Sequence, residues 1–318
     1  MKQLLKGKVA VVAGATRGTG RGIACELGAA GAIVYCTGRS TRENRKKRVK
    51  IEKSTAFELA NRPETIEETA EMVTARGGVG IAVQTDHTNI EQVKKLFARV
   101  EKEQGKLDIL INDVWGGDEL TEWKSFVEHS LEKGLTMIER AVHSHIITTH
   151  CAAPLMIKTR KGLIVEITDG NHFGYRGTMF YDFVKTSVIR LAFVFATEFK
   201  KHKITSLALT PGFIRSEAML DYFGVTEENW QDAVKKRPDF AESETPFYTG
   251  RAVVALATDP KIFKKSGKVF AAWDLGPEYG FTDVDGRQPD MKKWIETNMP
   301  NWKWKTCDDV FYEYWGLK

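Results

Sequence analysis

The chain has 318 residues, long enough to bury a sizeable core, and its 42% hydrophobic and 28% charged residues exclude a disordered polyelectrolyte. Its 47 basic and 42 acidic residues leave a net charge of +5, which favours an anionic ligand but falls short of a nucleic-acid binder's footprint. No run of about 18 apolar residues occurs. Met1–Lys8 is too short and charged for a signal peptide, and Cys25, Cys36, Cys151 and Cys307 lack metal or disulfide spacing, so a cytoplasmic protein without membrane span, metal or nucleic-acid partner is expected.

In chain order, Val9–Ala13, Ala32–Cys36, Gly80–Gln84, Leu107–Ile111, Leu163–Ile167 and Thr205–Leu209 read as buried strands, with a seventh near Lys268–Ala272. Helical periodicity follows most of them, as in Arg21–Ala30, Glu91–Gln104 and Tyr181–Lys200. Alternation of this kind predicts an α/β fold, a doubly wound parallel sheet in three layers of Rossmann type. One dinucleotide-binding domain over residues 1–318 is expected, with three attachments. These are an insertion at 42–63 with a basic run over Arg42–Lys53, a lid at 213–247, and a C-terminal extension at 273–318 holding five of the eight tryptophans.

The first strand leads into Gly14-Ala15-Thr16-Arg17-Gly18-Thr19-Gly20 and then a helix. Glycine at 14 permits a tight turn, and glycines at 18 and 20 let backbone N–H groups approach a pyrophosphate at the helix N-terminus. The second strand ends in Thr37-Gly38-Arg39-Ser40, with no carboxylate for the ribose hydroxyls of NAD. Arg39 suits a 2′-phosphate instead, so NADP(H) is favoured over NAD(H).

Tyr181-Asp182-Phe183-Val184-Lys185 puts a phenol and an ammonium on one helix face. A nearby cation stabilises phenolate and eases proton exchange with a substrate oxygen. Tyr314 and Lys318 repeat the spacing near the C-terminus without a strand before them, and are set aside.

The GxxxGxG spacing of Gly14, Gly18 and Gly20 resembles the short-chain dehydrogenase/reductase family, from Gly7 to about Gly280. The resemblance implies cofactor contacts at Thr16, Arg17, Thr19, Asp86 and His87, with Arg17 at the second basic position of NADP-preferring relatives. Asn112 matches the first Asn of the family's NNAG motif. Pro211, Gly212, Ile214 and Ser216 match the PGxxxT loop beside the nicotinamide. Tyr181 would be the general acid in reduction and the base in oxidation, with Lys185 on the nicotinamide ribose.

Where relatives carry the catalytic serine this chain has Thr168 and Asp169. Either Thr168 supplies the hydroxyl, or Asp169 does so in protonated form. A further active-site Asn is replaced by Ala141, and Asp113 and Trp115 replace Asn and Gly of NNAG. Trp115 is expected to line the nicotinamide end of the pocket. Ser266-Gly267-Lys268-Val269, Trp273-Asp274-Leu275 and Asp283-Val284-Asp285-Gly286-Arg287 resemble the subgroup of mammalian dehydrogenase/reductase member one and its bacterial relatives.

The resemblance implies an oxidoreductase passing a hydride between NADP(H) and a small-molecule carbonyl or alcohol, in a homo-oligomer. The alternative is a dinucleotide-binding sensor or scaffold with weakened dehydrogenase activity. His143, His145 and His150 read as packed or solvated residues rather than metal ligands, and Arg45-Lys46-Lys47-Arg48 as a solvated insertion. Trp294, Trp302, Trp304 and Trp315 are expected to be buried against the domain or a partner subunit.

Overall fold

The computed structural model describes residues 3–46, 56–59, 62–299, 301 and 306–307. Lys47 and Arg48 of the basic run, Trp302, Trp304, Trp315, Tyr314 and Lys318 lie outside the described residues.

Strands β1 (Val9–Ala13), β2 (Ile33–Gly38), β3 (Val79–Gln84), β4 (Ile109–Asn112), β5 (Gly162–Ile167), β6 (Ile204–Thr210) and β7 (Val269–Ala271) form one parallel sheet, ordered β3-β2-β1-β4-β5-β6-β7. All seven predicted strands are present. β4 starts two residues later than expected, at Ile109, just after Asp108, which ties down the head of β1. Its carboxylate accepts from the Val9 amide at 3.0 Å and from Lys8 Nζ at 2.7 Å.

Eleven α-helices among the described residues flank the sheet. They are α1 (Gly18–Ala29), α2 (Arg42–Lys46), α3 (Ile66–Ala75), α4 (Ile90–Gln104), α5 (Leu131–Ile138), α6 (Ser144–Thr159), α7 (Met179–Phe199), α8 (Glu217–Phe223), α9 (Pro246–Thr258), α10 (Ala272–Tyr279) and α11 (Met291–Asn298). One face of the sheet is covered by α1, α3, α9 and α10, through Ile23, Leu27, Val73, Val253, Leu256 and Leu275. The other is covered by α4 and α6, through Val93, Leu96, Phe97, Val100, Leu155 and Met156, and by α7, through Ile189 and Ala192 against Ala208.

The local reasons are legible in α4. The Asn89 side chain caps it by accepting from the Gln92 amide, its buried residues recur at helical spacing, and Gly105 ends it at φ +70°. Helices α1 and α9 meet backbone to backbone, since a Cβ on Gly22 would lie 2.1 Å from the Pro246 carbonyl oxygen.

Residues between β6 and α9 carry their own small apolar cluster, with Trp230, Ala233 and Phe240 at its centre. Arg215 is buried beneath it and binds Glu227 at 2.8 Å, Asp285 at 3.2 Å and the Ser243 carbonyl at 2.7 Å. The guanidinium groups of Arg215 and Arg287 lie 4.3 and 4.6 Å from the Trp230 ring. The Asp283–Arg287 stretch thus clasps this segment from the C-terminal side. From the other side, Glu217 accepts from the Gly18 amide at 2.8 Å. Of the C-terminal tryptophans described, Trp273 is buried and Trp294 is half-buried. Among the described residues no helix is long and apolar enough to cross a membrane.

Candidate active site

The strand order reverses between β1 and β4, and parallel sheets open a crevice at the carboxyl ends of such a pair. A cavity of about 810 Å³ lies there. Gly14, Thr16, Arg17, Gly18 and Thr19 line one end, with Ser216 against Gly18, and Thr168, Asp169, Tyr181, Lys185, Pro211, Gly212 and Ile214 line the rest. Arg39, Asp86 and His87 line it beside the glycine turn.

The turn is drawn tightly onto the end of β4. Gly14 sits at φ +93°, and a Cβ there would lie 2.4 Å from the Asp113 carbonyl oxygen. A Cβ on Gly20 would lie 2.4 Å from the Gly14 oxygen, so Gly20 packs behind the turn rather than facing the cavity. The start of α1 is shaped to meet an anion, and in this structure the Glu217 carboxylate occupies that place on the Gly18 amide, where a pyrophosphate would take it over.

Arg39 follows β2 directly, and its carbonyl accepts from Asn44 Nδ2 at 2.6 Å, fixing the backbone there. Arg17 is engaged by Glu64, whose Oε2 accepts from Nε at 3.1 Å. Asp86 Oδ1 accepts from the Thr88 amide and hydroxyl, at 3.0 and 2.8 Å. His87 is held by the hydroxyls of Thr37 and Thr148, each 2.8 Å from a ring nitrogen. Burial pushes its pKa down to about 3, so the ring is neutral.

Asn112 lies behind the wall. Its Nδ2 donates to Glu166 Oε1 at 2.7 Å and to Thr149 Oγ1 at 2.9 Å. Glu166 Oε2 is 2.6 Å from His145 Nδ1, and His145 Nε2 is 3.1 Å from the Val114 carbonyl. Glu166 and His145 were not singled out as site-supporting residues. The available signal was a glutamate inside an apolar strand run, since a buried carboxylate must find partners.

At the other end the Tyr181 hydroxyl donates to Asp169 Oδ2 at 2.7 Å. Thr168 faces elsewhere, its hydroxyl donating to the Lys185 carbonyl at 2.8 Å. Of the two residues at the serine position, it is Asp169 that meets the phenol. Arg176, which the sequence reading passed over, holds the loop in place. Its Nε donates to the Asp169 carbonyl at 2.7 Å and its Nη1 to Asp182 Oδ1 at 2.9 Å.

Lys185 Nζ lies 3.9 Å from the Trp115 ring centroid, and Trp115 meets Tyr181 edge to face at 5.4 Å. Trp115 Nε1 donates to Asp118 Oδ1 at 2.7 Å. Ala141 is buried in a π-helical turn, Glu139–His143, between α5 and α6. Such turns interrupt helices preferentially near functional sites.

The expected easing of phenol ionisation by Lys185 is outweighed. Burial raises the Tyr181 pKa well above its ordinary value, and Asp169 raises it further. Burial lowers the Lys185 pKa against the pull of Asp169, Asp118 and Asp113. Burial also pushes Asp113 up to about 7. Beneath the Pro211–Gly212 loop, buried Glu244 accepts from the Gly212 amide at 3.0 Å, and burial pushes its carboxyl up to about 8.

A sequence profile of the short chain dehydrogenases matches residues 46–223. The chain is 35% identical over 289 residues to dehydrogenase/reductase SDR family member 1 of Mus musculus, covering 89% of this chain and 85% of that protein. It is 26% identical over 267 residues to a 3-oxoacyl-[acyl-carrier-protein] reductase of Synechocystis, covering 84% and 95%. A solved short chain dehydrogenase from Mycobacterium thermoresistibile shares the fold at a TM-score of 0.72 and 20% identity, over 91% of this chain and 92% of that one. With this profile match and these relatives, the chain belongs to the short-chain dehydrogenase/reductase family, and is an oxidoreductase that uses a nicotinamide dinucleotide on CH–OH or C=O groups.

Proposed function

We propose that the chain is an NADP(H)-dependent oxidoreductase that interconverts a small carbonyl compound and its alcohol, with Tyr181 exchanging the proton. The observation that carries this reading is that the Tyr181 phenol and the Lys185 ammonium line the same cavity as the glycine turn. When bound, the dinucleotide supplies or takes the hydride.

In this reading the turn from Gly14 to Gly20 holds the pyrophosphate, and Arg39 meets the 2′-phosphate. Arg17 contributes less, because Glu64 already engages it. Asp86 and His87 flank the adenine, while Pro211, Gly212, Ile214 and Ser216 flank the nicotinamide. Asn112 shapes the end of β4 from behind. Lys185 leaves the face of Trp115 to hold the ribose. The whole chain acts as one domain, with residues 213–247 as the lid over the substrate.

A second reading, a dinucleotide sensor with weakened turnover, is favoured by one observation. The group facing Tyr181 is a hydrogen-bond acceptor where relatives place a donor. One measurement tests what the readings share and a second separates them. Quenching of tryptophan fluorescence should show NADPH binding about tenfold or more tightly than NADH, the worth of one charge-assisted pair. Tyr181→Phe should lower turnover across a panel of ketones and alcohols by about 100-fold or more. Binding without any turnover by the unaltered enzyme supports the sensor.

A further inference from the structure

The charges lining the cavity are unevenly matched. Beside the glycine turn Arg17 pairs with Glu64 at 3.1 Å and Arg140 with Glu119 at 2.9 Å, whereas the single cation Lys185 faces the carboxyl groups of Asp169 and Asp118, with Asp113 between it and the turn. Two further arginines nearby are matched in the same way. Arg237 pairs with Asp239 at 2.7 Å, and Arg176 with Asp182 at 2.9 Å. Around Lys185 the carboxyl groups therefore outnumber the one cation.

That imbalance suits a neutral carbonyl badly. Its reduction builds negative charge on oxygen, which a donor stabilises and a neighbouring carboxylate opposes. Asp169 Oδ2 accepts the Tyr181 hydrogen bond and so stands as an acceptor at the reacting end. A substrate bearing a cation reverses the sign, and the same carboxylate becomes its counter-ion.

The aromatic surroundings point the same way. The Trp115 face already carries an ammonium, that of Lys185, at 3.9 Å. Trp123, largely exposed at the cavity mouth, sits 5.9 Å from the Tyr181 ring and offers a second indole face. Indole is the best of the aromatic faces for a cation.

We infer that the substrate carries a protonated nitrogen beside its reacting carbon, as in a vicinal amino alcohol or an α-amino ketone, with Asp169 as counter-ion and the Trp115 and Trp123 faces around the ammonium. This deepens the oxidoreductase reading and rests on it. Oxidation of such an amino alcohol moves a hydride from the carbinol carbon to the nicotinamide. The hydroxyl proton leaves through Tyr181 to solvent, and the ammonium is unchanged.

The test compares two ligands of nearly equal shape, phenylethanolamine and 1-phenylpropan-1-ol, in which ammonium and methyl exchange places. Their dissociation constants at pH 7 are measured by calorimetry on the unaltered protein with NADP(H) present, and on Asp169→Ser and Asp118→Asn. Phenylethanolamine should bind at least about tenfold more tightly, an effect the size of one desolvated cation–π or ion-pair contact. Asp169→Ser should abolish that preference and raise turnover of neutral ketones, while Asp118→Asn should reduce the preference in part.

Equal or weaker binding of the amine, binding of neither ligand, or a preference that survives Asp169→Ser overturns the inference. Failure of the oxidoreductase reading looks different. There the dinucleotide fails to bind, or Tyr181→Phe turns over whichever ligand reacts as fast as the unaltered enzyme.

Discussion

The two ends of the cavity are made from different materials. The glycine-turn end is backbone, two amide planes packed so closely that a single methyl group would collide with a carbonyl oxygen. The other end is a set of side chains, Tyr181, Asp169, Lys185 and Trp115, each oriented by one hydrogen bond or ring contact. The first end has almost no freedom to change and keep its ligand. The second can exchange a hydroxyl for a carboxylate and keep its geometry while inverting its electrostatics. Chemistry is therefore expected to diversify at the side-chain end, over a binding end that stays fixed.

The sharpest way to break this contrast is at Gly14. Gly14→Ala sets a Cβ at positive φ against the Asp113 carbonyl, and the expected cost is about 3 kcal/mol or more in denaturant unfolding, with loss of NADPH binding. A variant that binds NADPH normally would show that the turn is not rigid. Next in size is Arg39→Asp, which should weaken NADPH about 10- to 100-fold and turn the preference towards NADH. An unchanged ratio of the two affinities would remove Arg39 from the site.

The ends also differ in how their carboxylates titrate. Beside the glycine turn, burial of Glu64 is more than offset by Arg62 and Arg17, and its pKa lies below the ordinary value. Beneath the Pro211–Gly212 loop, Glu244 is held up at about 8. A raised carboxyl keeps in the folded state a proton that the unfolded chain releases, so stability falls as pH rises towards 8. Between about pH 6.5 and 8 the loss from Glu244 should reach roughly 2 kcal/mol, or about 4 °C in melting temperature, and Glu244→Gln should remove that share and leave the smaller fall from Asp113, near 7. His87, at about 3, acts below this window. The smallest effect is expected for Trp115→Phe, which keeps a ring face for Lys185 and should cost about 1 kcal/mol or less in stability.

Legibility in the sequence followed the same division. The alternation of apolar runs and the order of elements gave all seven strands, because burial on both faces leaves a continuous apolar signal. Glycines 14, 18 and 20 mark a turn whose demands are steric and local. The partner of Tyr181 was not legible, because Thr168 and Asp169 are adjacent and only the direction of the chain leaving β5 decides which side chain faces the phenol. The burial that dominates its ionisation was hidden for a related reason. Lys185 is visible four residues away, whereas the burial and the carboxylates that outweigh it come from distant segments. The Asn112–Glu166–His145 chain and the Arg215 clasp likewise join residues far apart in sequence.

The account stands most directly on where Tyr181 sits relative to a bound nicotinamide. A crystal structure with NADP⁺ should show the Tyr181 hydroxyl, still in contact with Asp169, at the nicotinamide ring, with Lys185 withdrawn from Trp115 onto the ribose and Arg39 at the 2′-phosphate. A nicotinamide lodged elsewhere in the cavity, with the phenol directed away from it, would contradict the account.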